Sequence, residues 1–181
     1  MKILGIDPSL SNFGLARADY DPVTGVMTPE SLTLVETKPQ KKNKAVRKNS
    51  EDLERLHLIV PELEKALSGV SMVMVEMPVG SQSSRAMASY GFCLGILAWV
   101  KQPMIQVTPS EVKIIATNDK TASKQMMIDW ATQKYPDLNW LERGGKFTGK
   151  NEHLADALAA IEAGINTDQF KSAMAIAKFA A

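Results

Sequence analysis

Cysteine is almost absent. Cys93 is the single thiol in 181 residues, so no disulfide can close within the chain and no cysteine zinc cluster can be built from it. That suits a reducing compartment, and a cytoplasmic location is expected. A long apolar run is also missing. The longest, around Phe92 to Val100, is far below the roughly 20 residues a spanning helix needs, and no signal-peptide pattern opens the sequence. Neither sign of charge predominates: 21 Lys and Arg against 20 Asp and Glu give a net charge of +1. Any attraction to nucleic acid must therefore be local rather than a property of the whole molecule.

What is present is an ordinary globular composition, 45% hydrophobic and 23% charged. It is enough to bury a full core in one domain spanning residues 1–181. Lys2 to Ile6 reads as a central strand, with Gly14 to Tyr20 and Ser31 to Thr37 as two more, joined through the turn residues Asp21-Pro22-Val23-Thr24-Gly25. An antiparallel meander follows. Lys38 to Ser50 is polar and reads as a basic loop. Ser50 and Asp52 are positioned to cap a helix carrying Leu53, Leu56, Ile59, Val60, Leu63 and Leu67 at helical spacing. Ser71 to Glu76 is a second buried strand. Ser81 to Val100 reads as a helix whose small residues Ala86, Ala88, Gly91 and Gly95 would allow close packing on a sheet. Ile105 to Val107 is a short strand. Ser110 to Ala116, Ala122 to Lys134 and Glu152 to Gly164 are helices, with a glycine-bearing loop over Leu138 to Lys150 and a terminal helix or tail. This order predicts a mixed α/β sheet with helices on both faces.

The chemistry concentrates in four acids and a histidine. Ile6-Asp7-Pro8-Ser9 ends a buried strand on a carboxylate before a glycine-bearing turn, and Val75-Glu76 does the same for a second strand. A buried carboxylate is costly unless paired, and a metal ion is a usual partner. Ligands of open sheets bind beyond the carboxyl ends of strands, so the two acids would meet in one cleft. Glu152-His153-Leu154-Ala155-Asp156-Ala157 then offers His153 and Asp156 three apart on one helix face, with Glu152 four from Asp156 as another possible member. Oxygen ligands of this kind suit Mg²⁺, and one histidine favours tolerance of Mn²⁺. Two such ions about 4 Å apart serve in-line phosphodiester hydrolysis. Taken singly, Asp7 also suits a turn, Glu76 a solvated strand end and His153 an ordinary surface or core position; the joint pattern favours the site.

These residues resemble the RuvC-type Holliday junction resolvases of the ribonuclease H-like fold. Ile6-Asp7-Pro8-Ser9 with Gly14 is similar to the family's opening motif, and Val75-Glu76 to its second acidic strand. Thr108-Pro109-Ser110-Glu111-Val112-Lys113 and Ala122-Ser123-Lys124 are similar to its basic segment, and His153-Leu154-Ala155-Asp156-Ala157-Leu158 to its closing helix. The four pieces occur in order across most of the chain. The resemblance implies a ribonuclease H-like five-stranded sheet, with Asp7, Glu76, His153 and Asp156 as metal ligands and catalytic residues. It places Lys113 and Lys124 near the scissile phosphate, where a lysine neutralises charge on the phosphorane. It further implies a homodimer cutting branched DNA such as Holliday junctions with Mg²⁺ or Mn²⁺, its seam expected on the helix Ser81 to Val100.

Three departures accompany the resemblance. The aromatic that family members often carry after the second acid is absent from Glu76-Met77-Pro78-Val79-Gly80-Ser81. A glycine-rich piece is replaced by Ala116-Thr117-Asn118-Asp119-Lys120-Thr121. The basic stretch is long for the family. Divergence of this kind suits a phage or mobile-element member. Lys38, Lys41, Lys42, Lys44, Arg47 and Lys48 fall in that stretch without an acid, and with Arg85 they are expected to contact DNA. Phosphate contacts of this kind make binding weaken steeply with salt. Trp99, Trp130 and Trp140 are not interleaved with these charges and read as core or rim. Rival readings are a nuclease of the same fold with another substrate and a non-catalytic nucleic-acid binder. An actin-like ATPase fits poorly, because no second phosphate loop follows Val73.

Overall fold

The computed structural model describes residues 1–38 and 47–179. Strand β1 (Lys2–Asp7) occupies the centre of a five-stranded sheet ordered β3-β2-β1-β4-β5. Strands β2 (Asn12–Tyr20) and β3 (Met27–Glu36) run antiparallel to their neighbours. An Asx turn joins them, with the Asp21 carboxylate accepting from the Val23 amide and the Thr24 hydroxyl. Strands β4 (Val70–Glu76) and β5 (Met104–Val107) pair parallel. That geometry needs crossovers, supplied by helices α1 (Lys48–Leu67) and α2 (Ser84–Trp99). Helices α3 (Pro109–Thr117) and α4 (Lys124–Lys134) follow, then a small hairpin of β6 (Glu142–Arg143) and β7 (Lys146–Phe147), then α5 (Asn151–Asn166) and α6 (Asp168–Phe179). This is the expected mixed sheet with helices on both faces.

Alternation along the strands sorts the core into two layers. Leu4, Ile6, Val73 and Val75 pack with Ile59, Leu63, Cys93 and Ile96 of α1 and α2. Ile3, Met72 and Met74 pack with the layer that contains α5. Successive side chains leave a strand on opposite faces, so Asp7 follows Ile3 and Gly5, and Glu76 follows Met72 and Met74, onto the α5 face. Parallel register then brings the two strand ends together, because Gly5 pairs with Met74 and Ile6 with Val75.

Helix α5 lies unusually near the sheet. Its apolar residues from Leu154 to Ile161 are enclosed, as expected for a helix that is hydrophobic nearly all round. A methyl group at Gly5 would stand 2.0 Å from the Ala157 carbonyl oxygen, and one at Gly14 would stand 2.2 Å from the His153 carbonyl oxygen. The two backbones therefore meet where only glycine leaves room. Gly14 is accordingly no turn residue. It sits inside β2, directly opposite Asp7, and its missing side chain admits the start of α5.

Four expectations change. Helix α1 begins at Lys48, with Arg47 at its N-cap and no side-chain cap bond. Asp52 is not a cap. It is fully buried and bonded to Arg55 and Arg85, because the helix starts a full turn earlier than its apolar periodicity suggests. The small residues of α2 do not serve packing on the sheet: a methyl at Gly91 or Gly95 would meet nothing within 4 Å. The expected loop over Leu138 to Lys150 contains the β6–β7 hairpin, turned by Gly144 and Gly145 at φ 60° and 72°, the positive pair a tight hairpin needs. Its two-residue strands are too short to show alternation. Lys41, Lys42 and Lys44 lie outside the described residues.

Gly14→Ala is expected to cost about 1–3 kcal/mol or more in chemical denaturation, since backbone must move to admit the methyl. Gly91→Ala should cost far less than Gly14→Ala, since nothing within the same chain stands within 4 Å of the added methyl. Equal effects at the two positions would contradict the close seating of α5.

Candidate active site

Asp7, Glu76, His153 and Asp156 converge where β1 and β4 end under the first turns of α5. His153 Nδ1 lies 2.6 Å from Asp7 Oδ2. On the far side of the ring, Asn12 Nδ2 lies 3.3 Å from His153 Nε2. The imidazole is therefore held on both edges, by the Asp7 carboxylate and by the Asn12 amide. Asn12 thus fixes the orientation of the histidine. Nothing in the sequence marked it, because it is one polar residue in a loop-to-strand junction.

The carboxylates are neighbours in charge. Burial, followed by the charge of Asp7, pushes the Glu76 carboxyl up to about 8. Burial, then Glu76, Asp7 and Glu152, pushes Asp156 up to about 9. Asp7 is also raised, chiefly by burial, while the His153 hydrogen bond pulls it the other way. Adjacent acids out of water cannot all ionise without a counter-charge. Part of that charge is supplied by lysine. Lys113 acts to lower both Glu76 and Asp156, and Lys124 donates to Glu152 Oε2 at 2.7 Å. Both lysines singled out in the sequence therefore stand at the acid site. His153 touches Asp7, whereas Glu152 pairs with Lys124.

Two observations make the residues fit a divalent cation. Glu76 Oε2 is buried with no hydrogen-bond partner, and the surrounding acids hold protons for want of positive charge. Asp7, Glu76 and Asp156 supply hard oxygen donors, whereas both ring nitrogens of His153 are engaged, by Asp7 and by Asn12, and one of them must be released before the ring can offer a metal a donor. Among the described residues, no group of three or more His, Cys, Asp and Glu side chains is gathered closely enough to hold a metal ion as it stands. A cleft of about 380 Å³ opens onto Asp7 and Glu76, walled by Val79 and by Ala86, Ser89 and Tyr90 of α2.

The remaining expected DNA contacts are spread out. Lys38 and Arg47 are exposed on either side of the undescribed stretch. Lys48 pairs with Glu51 at 2.8 Å, and Arg85 gives both terminal nitrogens to Asp52. Trp140 is buried, Trp130 half-buried, and Trp99 exposed on the outer face of α2. Burial pushes the Cys93 thiol up to about 12, so it stays protonated and inert.

No family model and no curated protein matches the sequence. Solved structures do match. RuvC of Thermus thermophilus is 22% identical, with 97% of each chain covered and a TM-score of 0.62; in complex with a Holliday junction substrate it gives a TM-score of 0.61. The fowlpox virus Holliday junction resolvase is 15% identical over 95% of this chain and 99% of its own, with a TM-score of 0.54. The yeast mitochondrial Holliday junction resolvase Ydc2 is 10% identical over 99% of this chain and 86% of its own, at 0.55. The chain thus has the ribonuclease H-like fold of the RuvC-type resolvases along almost its whole length.

The raised carboxyls predict how the metal-free protein responds to pH. In the unfolded chain these acids ionise near pH 4. The native state keeps Glu76 and Asp156 protonated to about 8 and 9. Between those limits the native state binds the extra protons, so its stability is greatest at low pH and is lost as pH rises toward 9. In chelator, the melting temperature should fall steadily from pH 5 to pH 9, more shallowly in Asp156→Asn, and Mg²⁺ should restore it at the alkaline end. A melting temperature that does not fall over this range in chelator would contradict the acid cluster.

Proposed function

We propose that this chain is a structure-selective endonuclease that hydrolyses phosphodiester bonds in four-way junctions or other branched DNA, using Mg²⁺ or Mn²⁺. The observation that carries this reading is the crowding of Asp7, Glu76 and Asp156, with the buried Glu76 Oε2 unpartnered. Acids at a phosphate backbone repel it unless a cation lies between them, so a plain DNA-binding surface would not be built this way. The junction as substrate rests on the shared fold and on the names of its neighbours, two of which are complexes with junction DNA. A cytoplasmic location belongs to the same proposal.

Asp7, Glu76 and Asp156 would hold the ion, with His153 joining them only on releasing Asp7 or Asn12, and the ion would supply Lewis acidity for the attacking water and charge for the departing 3′ oxygen. The chain's own residues do the rest. Asn12 and Asp7 keep the imidazole of His153 oriented. Lys113, beside Glu76 and Asp156, places a positive charge where negative charge grows on the phosphorus. Lys124, held by Glu152, stands ready to exchange that carboxylate for a phosphate oxygen. Water adds to phosphorus as the P–O3′ bond breaks, leaving a 5′-phosphate and a 3′-hydroxyl.

A strand-resolved assay comparing four-way, three-way and linear DNA tests the function. Cleavage should need Mg²⁺ or Mn²⁺, favour the branched substrates, and drop at least about a hundredfold in Asp7→Asn, as for loss of a metal-site group. Equal cutting of linear duplex would refute the junction preference, and activity persisting in Asp7→Asn would refute the site.

The same proposal includes a homodimer. Between α1 and α2 runs an apolar groove of about 470 Å³, lined by Leu53, Leu56, Val60, Gly91, Gly95 and Trp99. Met87, Leu94 and Trp99 of α2 are exposed beside it. A second copy of the same helix fits such a self-complementary seam, with the open glycines admitting its side chains. Sedimentation should give a dimer for the wild type and a folded monomer for Trp99→Glu. A wild-type monomer at tens of micromolar, or a dimer indifferent to this substitution, counts against the seam.

A further inference from the structure

Helix α2 is anchored unevenly. Its buried residues, Cys93, Ile96 and Leu97, all lie in its C-terminal half. The N-terminal half, from Ser84 to Tyr90, includes the cleft wall of Ala86, Ser89 and Tyr90, and none of its side chains is fully buried. The other side-chain bonds here are local: Ser81 to Met87, Ser83 to Ser81, Ala86 to Ser83, and the Ser89 hydroxyl to the Arg85 carbonyl. Among the described residues, its side chains reach the rest of the protein by a hydrogen bond only through Arg85. Arg85 Nη1 and Nη2 donate to Asp52 Oδ2 and Oδ1, each at 2.5 Å.

Asp52 is itself fully buried, and Arg85 holds its carboxyl below the usual range. Its second partner is Arg55, also buried, with Nη1 at 3.5 Å from Asp52 Oδ1. Arg55 continues the chain of contacts. Its Nη2 donates to Ser11 Oγ at 2.7 Å and its Nε to Thr37 Oγ1 at 3.0 Å. Ser11 lies in the β1–β2 loop, which lines the opposite side of the same cleft. One buried carboxylate therefore joins both walls: α2 through Arg85, and the loop behind Asp7 through Arg55.

We infer that Arg85, Asp52 and Arg55 form a clasp that sets the width of the acid cleft, making them positioning residues for the scissile strand rather than contacts to DNA. The inference rests on the nuclease reading for its catalytic consequence, but the clasp itself is a structural statement. Bidentate guanidinium–carboxylate pairing fixes direction as well as distance. A buried acid deprived of one partner is strongly penalised, so the two walls are held at one spacing. Misplacing a reacting group by about 1 Å can cost a hundredfold in rate.

The experiment compares Asp52→Asn, Arg85→Ala, the double variant and Arg85→Lys, which keeps the charge and loses the two-pronged contact. Hydrogen exchange of the Ala86 to Tyr90 amides should speed up at least about tenfold in each variant, while the Ile96 to Trp99 amides change little. Turnover of a four-way junction should fall about tenfold or more at nearly unchanged junction affinity. The double variant should be no worse than either single one. If exchange at 86–90 is unaltered in Arg85→Lys and Arg85→Ala, the clasp is refuted. If Arg85→Ala weakens junction binding while Asp52→Asn does not, Arg85 is a phosphate contact and the inference fails. Should the wild type cut no DNA, the nuclease reading fails alone, and the exchange measurements still decide the clasp.

Discussion

The backbone contact between α5 and the sheet is the constraint on which everything else hangs. Gly5 and Gly14 remove two side chains from β1 and β2, and α5 drops into the space until its carbonyls touch the strands. A helix seated a methyl's width further out would leave His153 short of Asp7 and Asp156 short of Glu76. Dense packing of alanines at Ala155, Ala157, Ala159 and Ala160 gives that seating its rigidity, since interiors packed at crystal-like density transmit small shifts instead of absorbing them. Glycine is usually destabilising inside a strand. Here the loss is offset by the burial it permits.

Seating the helix creates an electrostatic conflict. Asp7, Glu76 and Asp156 meet in a place largely shut off from water, and the raised carboxyls of the latter two record that burial first and the mutual repulsion after it. The protein answers in part with Lys113, Lys124 and the imidazole of His153. It leaves Glu76 Oε2 without a partner. Stability and function pull in opposite directions at such a point, as is common where acids are gathered for chemistry. The opposite layer contains a second buried acid, Asp52, treated in the contrary way: two arginines satisfy it, and its carboxyl is lowered instead of raised. The acids at the strand ends keep an unpartnered oxygen, whereas Asp52 is satisfied by its two arginines.

Much of this was legible in advance. Apolar runs ending on Asp7 and Glu76, helix periodicity through Leu53 to Leu67 and the His153–Asp156 spacing are local patterns, and each corresponds to an observed element. Asp7, Glu76 and Asp156 stand near one another, and Lys113 and Lys124, which only the family resemblance had singled out, stand beside these acids and Glu152. Other features had no local signature. Asp52 looked like a cap because a polar residue before an apolar helix generally is one, and only the partner guanidiniums from elsewhere show otherwise. Gly14 was read as the start of a strand, but nothing local showed that its missing side chain makes room for α5. Asn12 and Arg55 gave no sign at all, their roles being defined by what lies across the cleft. The small residues of α2 fitted either packing on the sheet or an outward seam, and only the open space beside Gly91 and Gly95 sets the first aside, since sequence shows that a face is small but not what it faces.

By itself, then, the sequence determined the order and type of the main elements, the acids that end two of the strands and the helix that faces them. These follow from periodicity and from the cost of burying a charge, both properties of short stretches. Tertiary structure alone decided which glycines admit α5, which acid is satisfied and which is not, and which wall of the cleft each arginine supports. Those outcomes depend on distances between residues remote in the chain, such as the 2.6 Å from Asp7 to His153. Distances of that kind are fixed only when both layers have packed against the sheet.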